Sequence, residues 1–168
     1  MSRSELQPID TAAAGKLWDE YRTSRPDEVK AAPEYTVERF GDNARLADAL
    51  VLLVLSGQKR ATADLVSEFI AREDRLPQIG GHWVVCDSSG APRFILRTTE
   101  LRIGTLTSVD ASFAHDEGED EQTRDGWLRE HRRYFARVTE ARGATWSEEA
   151  DEVIFERFAV VWPPQFAD

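Results

Sequence analysis

Lys59 and Thr62 lie three residues apart, just after Gly57 closes the apolar run from Leu46 to Leu55. An amine and a hydroxyl at that spacing are the parts of a base–nucleophile pair. Partial removal from water favours a neutral lysine amine, which can then take a proton from a nearby hydroxyl. The same four residues also describe a solvated helix end, with a cation near the C-terminal end of the helix dipole and a threonine opening a strand. A second concentration of chemistry is Asp116-Glu117-Gly118-Glu119-Asp120-Glu121, five carboxylates in six residues. As a loop it is solvated. As a crowded oxygen cluster it attracts a hard divalent ion or a basic partner, although its order lacks the spacing of an EF-hand loop. A third feature is the stripe Arg129, Arg132, Arg133 and Arg137, which reads either as a solvated helix face balanced by Glu130 and Glu140 or as a contact for an RNA backbone.

The remaining reactive residues do not group by spacing. His82 opens a strand, His115 precedes the acidic cluster, and His131 shares a helical face with Trp127, where the expected role is a satisfied core histidine. There is no Gly-x-Ser-x-Gly elbow, no phosphate-binding glycine loop and no dinucleotide fingerprint. The single cysteine, Cys86, sits in an apolar run and reads as a small buried hydrophobe, with no internal disulfide available.

The elements that must position these groups follow from periodicity. Residues 9–23 form an amphipathic helix with Leu17, Trp18 and Tyr21 on one face. Pro26 and Pro33 bracket a polar linker. Asp42 or Asn43 caps a helix over 44–56 that is apolar nearly all round in its second half and is therefore expected to be central, with Gly57 at its end. A short strand through Thr62 leads into a helical turn over 66–72. Residues 82–87 and 92–99 are strands joined at Ser88-Ser89-Gly90, and the second continues toward Leu106. Ser108 or Asp110 caps a short helix. The helix over 123–141 is the clearest in the chain, and 153–162 is a closing strand stopped by Pro163-Pro164. Strands and helices do not alternate regularly, so the fold class expected is α+β, a small and mostly antiparallel β-barrel flanked by helices.

A length of 168 residues suits one domain, and the net charge of −10 disfavours a surface-wide grip on nucleic acid. No stretch has the roughly 18 consecutive apolar residues that a spanning helix needs, and no signal-peptide core opens the sequence. The expectation is a cytoplasmic protein without membrane or DNA partners.

Taken in order, several of these pieces resemble one family: Phe40-Gly41-Asp42; the run from Ala47 through Gly57-Gln58-Lys59-Arg60-Ala61-Thr62; Leu76-Pro77 and Gly80; Asp87 with Gly90-Ala91-Pro92; Thr98-Thr99-Glu100; Phe113 through Asp120; and Trp127-Leu128-Arg129-Glu130-His131. The series is similar to the bacterial form of the ASCH (activating signal cointegrator homology) family over roughly residues 35–162. The resemblance implies a PUA-like fold over 35–168, preceded by a helical extension over 1–34, with a cleft beside the Gly-x-Lys-x-x-Thr turn. It implies RNA or a modified nucleoside as the ligand. Two activities come with it: an amidohydrolase that removes the acetyl group of N4-acetylcytidine, which needs no cofactor, and a ribonuclease acting on single strands, which uses a divalent metal. A non-catalytic interaction domain is the third reading. The family's lysine and threonine fall on Lys59 and Thr62. Its glutamate falls on Glu117 in the matching Glu-Gly position, with Glu119 the alternative because this loop is longer. In the amidohydrolase reading Thr62 is the nucleophile, Lys59 its base and Glu117 the orienting carboxylate, with no metal ligand. Arg60, Glu119, Arg129, Arg132 and Arg133 are the expected ligand-binding residues. A carboxylate meeting Lys59 would favour the ammonium and oppose its use as a base.

Overall fold

The computed structural model describes residues 5–168; residues 1–4, the start of the expected extension, lie outside the described residues. Five strands, β1 (Tyr35–Arg39), β2 (Ala61–Leu65), β3 (His82–Cys86), β4 (Pro92–Gly104) and β5 (Val153–Trp162), form one open sheet in the order β1-β3-β4-β5-β2, with β1 and β2 at its edges. The class is α+β, with helices flanking a mostly antiparallel sheet. By internal contacts the chain divides into two compact units, one holding the chain up to Gly57 with Ile79–Thr99 and Phe158–Asp168, the other Gln58–Gln78 and Glu100–Arg157.

In the first unit, α1 (Thr11–Ser24) starts where Asp10 accepts a hydrogen bond from the Ala13 amide at 2.9 Å. It buries Ala14, Trp18 and Tyr21. The Tyr21 hydroxyl is shared between Glu28 at 3.2 Å and His82 Nε2 at 3.3 Å. The polar linker expected between Pro26 and Pro33 holds a short helix, α2 (Pro26–Lys30), because proline fits the first turn, where its missing N–H has no partner to lose. The strand β1 (Tyr35–Arg39) carries no alternation, since all five residues are half-buried. It exists through parallel pairing with β3 (His82–Cys86), a contact 47 residues away that local sequence does not show. α3 (Ala44–Leu55) is capped by Asn43, whose side chain accepts from the Leu46 amide at 3.0 Å. Gly57 turns the chain out of α3 at φ +87°.

The expectation that α3 is central is corrected. It buries one face (Ala44, Ala47, Leu50, Val51, Val54) and leaves Leu52 62% exposed, because a helix beside a sheet has only one side to cover. Two apolar clusters complete this unit, one around Leu50, Val54, Phe94 and Phe158, the other around Trp18, Tyr21, Val84 and Ile95. Cys86 is fully buried, and burial pushes its thiol up to about 11.

The second unit holds β2 (Ala61–Leu65), α4 (Val66–Ala71), the end of β4 (Pro92–Gly104), α5 (Ala111–Glu117), α6 (Arg124–Ala141) and the start of β5 (Val153–Trp162). β2 pairs antiparallel with β5, placing Ala61 opposite Arg157, Thr62 opposite Glu156 and Ala63 opposite Phe155. Asp110 and Thr123 cap α5 and α6 through their side chains. Leu65, Leu106, Phe113, Trp127, Phe135 and Phe155 form the core of this unit. Among the described residues, no helix is long and apolar enough to cross a membrane.

Candidate functional site

The site lies within the second unit, where the turn before β2 docks on the end of α5. Gly118 ends α5 in the left-handed region at φ +73°. A Cβ there would stand 2.4 Å from the Gln58 carbonyl oxygen and 2.9 Å from Lys59 Cα, so glycine is required both by conformation and by close approach. Three contacts fix the docking. The Arg60 amide donates to the Asp116 carbonyl at 2.8 Å, Gln58 Nε2 donates to the Gly118 carbonyl at 2.7 Å, and Arg157 pairs with the Asp116 carboxylate through its side chain.

That docking turns Lys59 inward until it is fully buried. Its Nζ donates to the Ala61 carbonyl at 2.8 Å, to Glu119 Oε2 at 2.8 Å and, more weakly, to the Glu117 carbonyl at 3.4 Å. Glu117 Oε1 lies 3.7 Å away. Three acceptors match the three donors of an ammonium. The charge that would cost several kcal/mol to bury alone is thereby offset.

α6 supplies the other wall. Trp127 Nε1 donates to Glu117 Oε2, and His131 Nε2 lies 3.0 Å from Glu117 Oε1. His131 Nδ1 lies 2.9 Å from the Trp127 carbonyl, and the two rings stack with centroids 3.8 Å apart. Both histidine nitrogens thus face acceptors, an arrangement that satisfies the imidazolium.

The three titrating groups are driven apart. Burial alone would raise Glu117, but the charges of His131 and then Lys59, with hydrogen bonds to its carboxyl, pull it down to about 2. Burial pushes Glu119 up to about 7, against Lys59 and with the charge and hydrogen bond of Glu117. Burial would lower His131, and the Glu117 carboxylate outweighs it and raises it. Glu117 is therefore the fixed anion, and Glu119 holds the proton that can leave near neutral pH.

Among the described residues, Glu117, Glu119 and His131 are the group whose ligand atoms lie close enough to surround a cation, all within 4.8 Å. They do not fit a divalent ion as arranged, because both histidine nitrogens point at acceptors and the Lys59 ammonium takes the cation's place.

The expected residues are not all brought together. Lys59, Glu117 and Glu119 meet. Thr62 is half-buried in β2, and strand alternation turns it away from the face of Ala61 and Ala63, toward the side of its partner Glu156. Among the described residues, no hydrogen bond joins its hydroxyl to Lys59. Arg60 is half-buried and donates to the Lys59 carbonyl at 2.8 Å. The arginine stripe is ion-paired: Arg129 with Glu121 at 2.8 Å, Arg132 with both oxygens of Glu148 at 2.9 and 2.7 Å, and Arg133 with Glu130 at 3.2 Å.

Sequence reading placed His131 in the core, and it is buried and satisfied, but its partner is Glu117. The spacing of Trp127 and His131, one turn apart on one face, was the available signal. A buried indole such as Trp127 needs an acceptor, and here it is Glu117. Glu156, also buried, was legible as a carboxylate sharing a strand face with Ile154 and Phe158.

The open sheet, the flanking helices and the lysine–glutamate site beneath the Gly-x-Lys-x-x-Thr turn define the type of domain. The chain belongs to the ASCH domain family, whose model matches residues 36–162. It is similar to the crystal structure of an ASCH domain from Lactobacillus crispatus JV V101, with 25% identity, coverage of 94% of this chain and 98% of the other, and a TM-score of 0.81. It is also similar to protein EF3133 from Enterococcus faecalis V583, with 26% identity, 90% and 89% coverage, and a TM-score of 0.77. No curated protein matches the chain.

Proposed function

We propose that the protein hydrolyses an acyl amide on a nucleoside-type ligand, N4-acetylcytidine being the model substrate. The observation that carries this reading is the fully buried Lys59 side chain, whose Nζ lies 2.8 Å from the Glu119 carboxyl and 3.7 Å from that of Glu117. Family membership supports an RNA or nucleoside ligand. The overall charge of −10 and the ion-paired arginines favour a small ligand over a long RNA strand.

The expected roles shift accordingly. With three acceptors around it, Lys59 serves as a cation rather than as a base. The weak 3.4 Å contact to the Glu117 carbonyl is the one a substrate oxygen can replace, which sets the ammonium against the oxyanion that forms when an amide is attacked. Water rather than Thr62 is the attacking group in this reading, since Thr62 alternates away from the face of Ala61 and Ala63, which packs with Trp127, the partner of Glu117.

The test is incubation with N4-acetylcytidine and with single-stranded RNA, each with divalent metal and with chelator. Acetate release that is chelator-resistant, lost in Lys59→Ala and retained in Thr62→Ala, is the expected result. RNA cleavage without acetate release would replace this reading with the nuclease one, and inertness toward both substrates would leave an interaction domain. Loss of acetate release in a folded Thr62→Ala protein would return the nucleophile's role to the threonine.

A further inference from the structure

The two carboxyls of the site are not equivalent. Glu117 receives Trp127 Nε1 on one oxygen and His131 Nε2 on the other, has Lys59 beside it, and its side chain is 2% exposed. Every direction in which it could meet a ligand is taken by the protein. Glu119 is held by Lys59 at 2.8 Å and by a side-chain hydrogen bond with Glu117, and its side chain is 20% exposed, against 1% for Lys59. It is the only member of the trio that reaches solvent. It also stands on a short connection between α5 and α6 in which Gly118, Asp120 and Gln122 all have positive φ, at 73°, 49° and 54°. Two non-glycine residues in that region are sparsely populated conformations, of the kind that collect at ligand-handling segments.

We infer that Glu119 is the residue that exchanges a proton with the ligand, and that Glu117, locked by Trp127 and His131, is a positioning residue that stays charged. The inference rests on the amide-hydrolysis reading and reverses the expectation that placed Glu117 at the chemistry. In the step it implies, the Glu119 carboxylate takes a proton from water as the water oxygen bonds to the acyl carbon. The carbonyl electron pair moves onto the carbonyl oxygen, facing the Lys59 ammonium. The carbon–nitrogen bond then breaks as Glu119 returns that proton to the departing amine nitrogen, and the oxyanion pair re-forms the carbonyl. One water is consumed, a carboxylic acid and an amine leave, and Glu119 ends as it began.

The base form of Glu119 is faced by Lys59 from the turn before β2, Glu117 from α5 and His131 from α6. Burial holds its proton up to about neutral pH, so turnover rises with pH through that range. Removing the Glu117 charge relaxes Glu119 and moves the rise to lower pH, whereas removing the His131 charge moves it higher.

The experiment has two readouts. Carboxyl carbons of glutamate are followed by NMR across pH in protein labelled at that position, and acetate release from N4-acetylcytidine is measured over the same range. One glutamate signal should titrate near neutral pH in the wild type and be absent in Glu119→Gln. In Glu117→Gln it should move to lower pH, because the Glu117 charge and hydrogen bond both raise Glu119. Glu119→Gln should lose about 10²–10⁴-fold in turnover, the usual contribution of a positioned acid–base group, with Glu119→Asp recovering part of it. Glu119 sits on a partly exposed loop, so its variants should fold. Should Glu117→Gln fail to fold, His131→Gln leaves both carboxyls in place and should move the rise upward. A neutral-range signal that survives in Glu119→Gln would overturn the assignment, as would full turnover in that variant. A wild type that releases no acetate but keeps the Glu119 titration would sink the hydrolysis reading alone.

Discussion

Replacing Lys59 by Met removes the buried cation while keeping most of its volume. Glu119 loses its 2.8 Å partner and Glu117 loses the charge 3.7 Å away, leaving His131 as the remaining cation facing two carboxyls. Breaking a buried pair on one side costs about 3–5 kcal/mol, because the other charge stays behind. For a chain of this size, that corresponds to a fall of about 6–20 °C in melting temperature. The cost should also depend on pH. Lys59 opposes the rise of Glu119 to about 7, so without it Glu119 holds its proton to higher pH. Below that value the folded wild type and the variant both carry a protonated Glu119, and the difference between them is the part that Glu117 contributes by losing the charge beside it. Above it the wild type releases the proton and pairs the carboxylate with the ammonium. The variant cannot, and it loses about 1.4 kcal/mol for each further unit. Urea unfolding followed by tryptophan fluorescence at pH 6 and pH 8.5 measures both quantities. A variant as stable as the wild type at pH 8.5, or a penalty that shrinks as pH rises, would refute the account of this pocket.

Other outcomes follow from the same contacts. Gly118→Ala and Gly57→Ala both place a side chain at positive φ, at about 1–2 kcal/mol each. Only Gly118 also meets backbone, at 2.4 Å, whereas nothing lies within 4 Å of a Cβ at Gly57. Gly118→Ala should therefore be the more destabilising in urea and should also abolish acetate release. Trp127→Phe removes the indole donor from Glu117 and should cost about 1.5–3 kcal/mol, the range for a hydrogen bond to a charged group, read as a change in urea midpoint. Arg132→Ala breaks an exposed pair with Glu148, so it should cost under about 1 kcal/mol and leave oligonucleotide affinity unchanged in a fluorescence titration. Burial, then the charge of Arg97, lowers His82 to about 4. Its folded value lies below the unfolded one, so its contribution is intact above about pH 6.5 and drains away as pH falls toward 4. His82→Asn should flatten that part of the stability–pH curve.

The elements that local chemistry dictates were legible in the sequence. Asn43, one of the two candidate caps of α3, accepts from the amide three residues on. The alternation of Val153, Phe155 and Arg157 with Ile154, Glu156 and Phe158 marked the first part of β5, and Pro163-Pro164 marked its end. The ordered motifs from Phe40 to His131 carried the family. β1 was not legible, because its five half-buried residues depend on pairing with β3 across 47 positions.

Residue types and local spacing thus determined which groups were available: a lysine after an apolar helix, a run of carboxylates, and a histidine one turn beyond a tryptophan. Only tertiary structure decided what each does. Lys59 and Glu117 are 58 positions apart, and it is the contact of Gly118 with the Gln58 carbonyl that brings them together. Burial raises both neighbouring glutamates, but the charges of His131 and Lys59 pull Glu117 down, while the Glu117 charge adds to the rise of Glu119. A proton's preference depends on the dielectric and the charges around it, and those belong to the folded arrangement rather than to the chain.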